Sequence, residues 1–167
     1  MLLNKERIIE MVKVLFVCHG NICRSPMAEF IMKDKVKKLS MESLFHIDSR
    51  ATSTEEIGNN IYPKALRTLN NHGILGAKHS AEQITIEDYN YFDYIFVMDQ
   101  ANIRMLKYVL PNCNLSKVSL IGEFIEKDLW IEDPWYTDNF ELVFKQLDKA
   151  IDIFINKLIQ KEIKWKK

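Results

Sequence analysis

Val14-Leu15-Phe16-Val17 is an unbroken apolar run ending at Cys18, the pattern of a short strand buried on both faces. From Ser25-Pro26 onward the period lengthens. Ala28, Ile31, Met32, Val36 and Leu39 fall on one helical stripe, and Pro26 suits a first-turn position. A strand therefore feeds a helix through one short loop. Phe45-His46-Ile47-Asp48 reads as a second strand, and Ala65 through His72 as a helix stopped by Gly73. Tyr94 to Met98 forms the next strand, followed by a helix near Asn102 to Val109 that Pro111 closes. Val118 to Ile121 is a fourth strand. After an irregular acidic stretch, Phe140, Val143, Phe144, Leu147, Ile151, Phe154 and Leu158 make the core-facing stripe of a long last helix. Its lysine-rich end is expected to fray into solvent.

Alternation of strands and helices, without internal repeat or Gly/Ser linker, is the signature of an α/β domain with a mainly parallel sheet. The length of 167 residues suits one domain spanning 1–167, with 1–11 a short N-terminal extension. No apolar run approaches the ~20 residues of a membrane-spanning helix, so no membrane partner is expected. The 23 basic side chains cancel 23 acidic ones, giving no global attraction for nucleic acid. That zero hides a local contrast: Glu123 to Glu141 holds 7 acids and 1 base, and Lys145 to Lys167 holds 7 bases and 3 acids. Lys5, Glu6, Arg7 and Glu10 interrupt the N-terminus where a signal peptide needs a continuous apolar stretch. With 3 cysteines, too few to staple a chain of this size, free thiols in the cytoplasm are the expectation.

Ligands of parallel α/β sheets sit at the carboxyl ends of the strands, and the first strand ends at Cys18. The stretch Cys18-His19-Gly20-Asn21-Ile22-Cys23-Arg24-Ser25 enters a helix N-terminus, where backbone N–H groups converge. Gly20 and Asn21 are residue types that accept left-handed angles. A helix N-terminus and a nearby guanidinium are the surroundings that turn a cysteine into a thiolate, and Ser25 can donate its hydroxyl to it. Arg24 offers a planar fork for two phosphoryl oxygens. Cys18 alone reads as a small buried hydrophobe, and the octapeptide reverses that reading. Cys18 and Cys23 on one loop are a candidate redox pair that protects the nucleophile, with packing an equal alternative for Cys23. No second ligand pair at zinc-like spacing accompanies Cys18, His19 and Cys23, so neither metal nor cofactor is expected.

The run Val14 to Glu29, "VLFVCHGNICRSPMAE", resembles the signature of the low-molecular-weight protein tyrosine phosphatases. The resemblance extends to "IDS" at Ile47, "FDYIFVMD" at Phe92 and "IEDPWY" at Ile131. It implies a four-stranded parallel sheet flanked by helices, with a phosphate-binding loop between first strand and first helix. It also implies hydrolysis of a phosphotyrosine-containing protein or small aryl phosphate through a phosphocysteine, with inorganic phosphate as product. Cys18 corresponds to the nucleophile, Arg24 to the phosphate clamp, and His19 to Ser25 to the cradle. Asp133 corresponds to the general acid; by itself it would read as a solvated loop charge beside Glu132. Asn21, Ser25, Ser49 and His79 match positions that hold the loop in shape, and Trp135 and Tyr136 match aromatics walling the cleft.

Three departures bear on specificity. His19 replaces an apolar residue, usually Leu, so substrate affinity near neutrality is expected to depend on pH. Glu55 falls where an aromatic often forms the opposite wall, and Arg50-Ala51-Thr52 replaces Ala-Gly-Thr, bringing a bulky cation beside the site. Arsenate reductases of this fold need relay thiols, and only Cys113 lies outside the loop. Arginine phosphatases of the family carry Thr at the position of Ile22, which lacks a hydroxyl. A non-catalytic phosphate-binding or redox-sensing module is the alternative from another class, and it would not require Asp133.

Overall fold

The structure is a computed structural model that describes residues 10–160; most of the N-terminal extension and the lysine-rich end lie outside the described residues. The strands β1 (Val12–Cys18), β2 (Phe45–Ala51), β3 (Tyr94–Val97) and β4 (Val118–Leu120) form one sheet in the order β2-β1-β3-β4. All three pairings are parallel. The helices are α1 (Arg24–Lys38), α2 (Pro63–Asn71), α3 (Ile86–Tyr91), α4 (Gln100–Val109), α5 (Pro134–Thr137) and α6 (Phe140–Ile159).

β1 is central, and its alternate side chains enter two cores. Val12, Val14, Phe16 and Cys18 pack with α1, α2 and α6, whereas Leu15 and Val17 pack with Tyr89 of α3 and Leu106 of α4. That burial on both faces is why the strand reads as a continuous apolar run. β2 lies at the edge and alternates, with Phe45, Ile47, Ser49 and Ala51 buried.

Every residue of the α6 stripe named from the sequence is buried, as are Ala28, Ile31, Met32 and Val36 of α1. Leu39 departs from its stripe: it caps the C-terminus of α1, where the helix has stopped covering the core, and is 49% exposed. Gly73 stops α2 with φ +81, an angle a Cβ resists. α4 begins earlier than its periodicity suggests because Asp99 caps it in a reciprocal box with Asn102. α3 has only six residues, too few to show a period, and a Thr85–Asp88 box starts it.

The parallel register brings Cys18 beside Ala51 and Val17 beside Val97. The ends of β1, β2 and β3 therefore share one rim. The chain leaves β1 through α1 for β2 on one side and crosses from β2 to β3 on the other, so the loop after Cys18 occupies the crevice where ligands of open α/β sheets bind.

Candidate active site

The loop from Cys18 to Ser25 is tied from outside by distant segments. Cys18 O accepts Thr52 N–H at 2.9 Å, His19 O accepts Ser53 N–H at 3.0 Å, and Ile22 O accepts Tyr62 N–H at 2.8 Å. The carbonyl of Asn21 accepts from His79 Nε2 at 2.6 Å. A trans peptide holds its C=O and N–H antiparallel, so the amides of His19, Gly20, Ile22 and Cys23 point the opposite way, into the loop. Asn21 supplies the bend with φ 59. Gly20, expected to share that conformation, does not adopt a left-handed angle. A Cβ there would meet only ordinary contacts, Glu56 Cγ at 3.4 Å and Ile22 Cγ1 at 3.8 Å.

Cys18 and Cys23 are both buried free thiols. Cys23 is the N-cap of α1 yet offers no side-chain cap. The Ser25 N–H of the first turn donates instead to Cys18 Sγ at 3.4 Å, aligning the nucleophile candidate with the helix N-terminus. Ser25 Oγ lies 3.0 Å from Cys18 Sγ and accepts from Asn21 Nδ2 at 2.8 Å. The same Nδ2 donates to Ser49 Oγ at 2.9 Å, and Ser49 in turn donates to Glu29 Oε1 at 2.6 Å. Lys33 Nζ holds the other oxygen of Glu29 at 2.6 Å. With both Asn21 N–H donors and the Ser49 proton committed, the Ser25 proton is free to serve a thiolate at Cys18. Its other acceptor, Arg50 O, is 3.4 Å away.

Arg24 is 2% exposed. Its Nη1 donates to Asp99 Oδ2 at 2.6 Å and to Ile131 O at 2.8 Å, and its Nη2 lies 3.5 Å from Asp133 Oδ2. Burial alone would lower the affinity of the guanidinium for its proton, but Cys18, Asp99 and Asp133 outweigh it and the net direction is upward. The Cys23 thiol is pushed up by burial first, and then by the charges of Cys18 and Asp133. Cys23 therefore stays protonated.

Asp133 caps the one-turn helix α5, with Oδ1 accepting Trp135 N–H at 3.0 Å. Trp135 packs edge-on against Tyr62 at 5.1 Å between centroids, while Tyr136 is 85% exposed. Two of the departures meet: His19 Nε2 is 3.1 Å from Glu55 Oε2 at the exposed rim. Arg50 is held by Asp48 at 3.0 Å and Asp88 at 3.1 Å, so its charge is spent along β2 rather than in the cleft. His46 and His72, given no site role, pair with Tyr91 and Glu141 instead.

Sequence reasoning missed Asp99 and Glu29, the carboxylates that anchor Arg24 and Ser49. Asp99 carried one available signal, its capping box with Asn102. Glu29 carried none, because a polar residue on a helix looks solvated until the fold buries it to 4%. Among the described residues no helix is long and apolar enough to cross a membrane.

The arrangement comprises a sulfur under a ring of amides, a buried guanidinium and a carboxylate 3.5 Å from that guanidinium, and it suits nucleophilic attack on a phosphoryl group. Comparisons with known proteins agree. A phosphatase of Gallus gallus, "Low molecular weight phosphotyrosine protein phosphatase", is 41% identical over 154 residues, covering 89% of this chain and 96% of its own. The low molecular weight protein tyrosine phosphatase SP-PTP of Streptococcus pyogenes superposes with TM-score 0.80 at 40% identity, covering 91% of this chain and 96% of its own. DARP, a Drosophila arginine phosphatase, superposes with TM-score 0.79 at 31% identity, covering 88% and 98%. The family model for low molecular weight phosphotyrosine protein phosphatase matches residues 13–165. With site, fold and sequence pointing the same way, the chain belongs to that family.

Proposed function

We propose that this protein hydrolyses phosphotyrosine in proteins, and small aryl phosphates, through a phosphocysteine. The observation that carries the reading is the convergence at the start of α1: Asp133, from a distant segment, lies 3.5 Å from Arg24 Nη2, and the N–H of the next residue, Ser25, donates to Cys18 Sγ at 3.4 Å. The Cys18 sulfur attacks phosphorus while the bond to the phenolic oxygen breaks, and the Asp133 carboxyl gives its proton to the departing phenolate. The ionised Asp133 then takes a proton from water as that water attacks the phosphocysteine. Inorganic phosphate leaves and the thiolate is restored. Arg24 and the amides from His19 to Ser25 hold the phosphoryl oxygens, while Asn21, Ser49 and His79 keep the loop in shape.

His19, Glu55, Trp135 and Tyr136 form the rim that meets the substrate. Ile22 presents no hydroxyl to the loop, which supports tyrosine phosphate over arginine phosphate. Cys23 serves as the guard: after a peroxide converts Cys18 to a sulfenic acid, Cys23 gives up its proton, displaces water and closes a disulfide. Three free thiols support residence in the reducing cytoplasm.

The test is hydrolysis of phenyl phosphate by wild type, Cys18→Ser and Asp133→Ala. Cys18→Ser is expected to abolish turnover and Asp133→Ala to lower it by roughly 10²-fold or more. A wild type inert both with and without reductant would overturn the reading.

A further inference from the structure

Asp133 must hold its carboxyl over the phosphate loop, yet α5, which it caps, has only four residues. The direct tie from that segment to the loop is through Arg24, by way of Ile131 O and Asp133 itself. A second tie runs through Tyr62. Its backbone N–H donates to Ile22 O of the phosphate loop at 2.8 Å. Its ring meets Trp135 edge-on at 5.1 Å and lies nearly parallel to Phe140, 5.9 Å away, at the start of α6. Trp135 in turn donates its N–H to Asp133 Oδ1 at 3.0 Å. One residue thus bonds the cradle with its backbone and braces the acid with its ring.

The placement of Tyr62 follows from its neighbours. Pro63 opens α2 and forces the residue before it to be extended, and Tyr62 is observed at φ −55, ψ 135. This turns its N–H toward the loop and frees its ring to reach the far segment. A parallel contact, Lys64 Nζ to Asp138 Oδ1 at 2.6 Å, spans the same gap, but both side chains are exposed. Exposed pairs hold weakly, so the aromatic contact is the principal brace.

We propose that Tyr62 is a positioning residue for the general acid, acting through Trp135. The proposal rests on the reading of Asp133 as that acid. Loosening the brace leaves the phosphate cradle in place, because the Tyr62 N–H survives substitution, but it displaces the proton donor. A displacement of about 1 Å can cost roughly 10²-fold. The loss must grow with the basicity of the leaving group, since a good leaving group departs without help.

The experiment measures kcat/KM for phenyl phosphate and for p-nitrophenyl phosphate with wild type, Tyr62→Leu and Tyr62→Phe. Tyr62→Leu keeps apolar volume against Phe140 while removing the ring edge. It is expected to lose about tenfold or more on phenyl phosphate but no more than about twofold on p-nitrophenyl phosphate. Tyr62→Phe keeps the ring and is expected to match wild type on both. Equal losses on the two substrates, or no loss, would overturn the proposal, because a general disturbance of the fold does not distinguish leaving groups. If Tyr62→Leu does not fold, Tyr62→Met, whose flexible chain refills the same space without a ring edge, removes the contact with Trp135 and must show the same unequal loss. A wild type that cleaves neither ester removes the phosphatase reading itself; one that cleaves both, with an unaltered ratio in Tyr62→Leu, removes only the role of Tyr62.

Discussion

Asn21→Asp replaces two N–H donors with a carboxylate oxygen and changes almost nothing else. The side chain keeps its size, and Asp, like Asn, tolerates the observed φ of 59. Oδ1 can still accept Glu82 N–H, now at 3.1 Å. The donors to Ser25 Oγ at 2.8 Å and Ser49 Oγ at 2.9 Å disappear. Each hydroxyl has one proton. Ser25 must either face the new carboxylate with a lone pair or turn its proton away from Cys18, 3.0 Å distant. Ser49 faces the same choice against Glu29. A hydrogen bond to a charged group is worth about 1.5 to 3 kcal/mol, so losing the one to the Cys18 thiolate is a factor of roughly ten or more. The added buried charge works in the same direction. Alkylation of Cys18 by iodoacetamide, a neutral reagent whose approach the new charge does not bias, is expected to slow by about tenfold or more on the acid limb of its rate–pH profile. The kcat/KM for aryl phosphate falls with it. Ser25→Ala removes the same bond, so adding it to Asn21→Asp should cost little more. A folded Asn21→Asp protein alkylated at the wild-type rate would refute the proton arrangement derived for the loop.

Two further predictions concern stability. Asp99→Asn retains the cap of α4, since Asn caps as well as Asp, but removes the carboxylate 2.6 Å from buried Arg24; with Ile131 O and Asp133 still present, the expected loss is about 2 kcal/mol, or roughly 4–8 °C in Tm by thermal unfolding, and an unchanged Tm counts against the pairing. Gly122→Ala would place a Cβ 2.1 Å from Leu129 O and 2.9 Å from its carbonyl carbon, backbone atoms that cannot swing aside. A loss of about 3 kcal/mol in denaturant unfolding is expected, and a wild-type midpoint would show that the turn yields.

The sheet and long helices were legible because their signal is local. β1 is buried on both faces, so its apolar run needed no knowledge of its neighbours, and the α6 stripe runs along a helix of 20 residues. Asp99 illustrates the opposite case. Its identity suggests a cap, which it is, but its second oxygen serves an arginine on another helix, and no spacing within α4 encodes that. The pairing of His19 with Glu55 is similar: each was visible as an oddity, and only the fold makes them partners. Gly20 shows composition misleading outright, because the residue best able to take a left-handed angle leaves that conformation to Asn21.

What distinguishes the loop from any other strand-to-helix turn is where its carbonyls go. Thr52 and Ser53 hold two of them from beyond β2, Tyr62 holds a third from the start of α2, and His79 holds a fourth from the approach to α3. None of these partners lies within the loop: Thr52, Ser53 and Tyr62 come from the connection between β2 and α2, and His79 from the one between α2 and α3. The inward amides are therefore fixed by the completed fold rather than by the loop's own sequence, and they stand aimed before any anion arrives. A cradle assembled this way requires no reorganisation as charge develops on phosphorus. It also explains why the spacing from Cys18 to Arg24 alone says little about chemistry: the residue types permit an anion site, and the distant segments that pull the carbonyls outward create one.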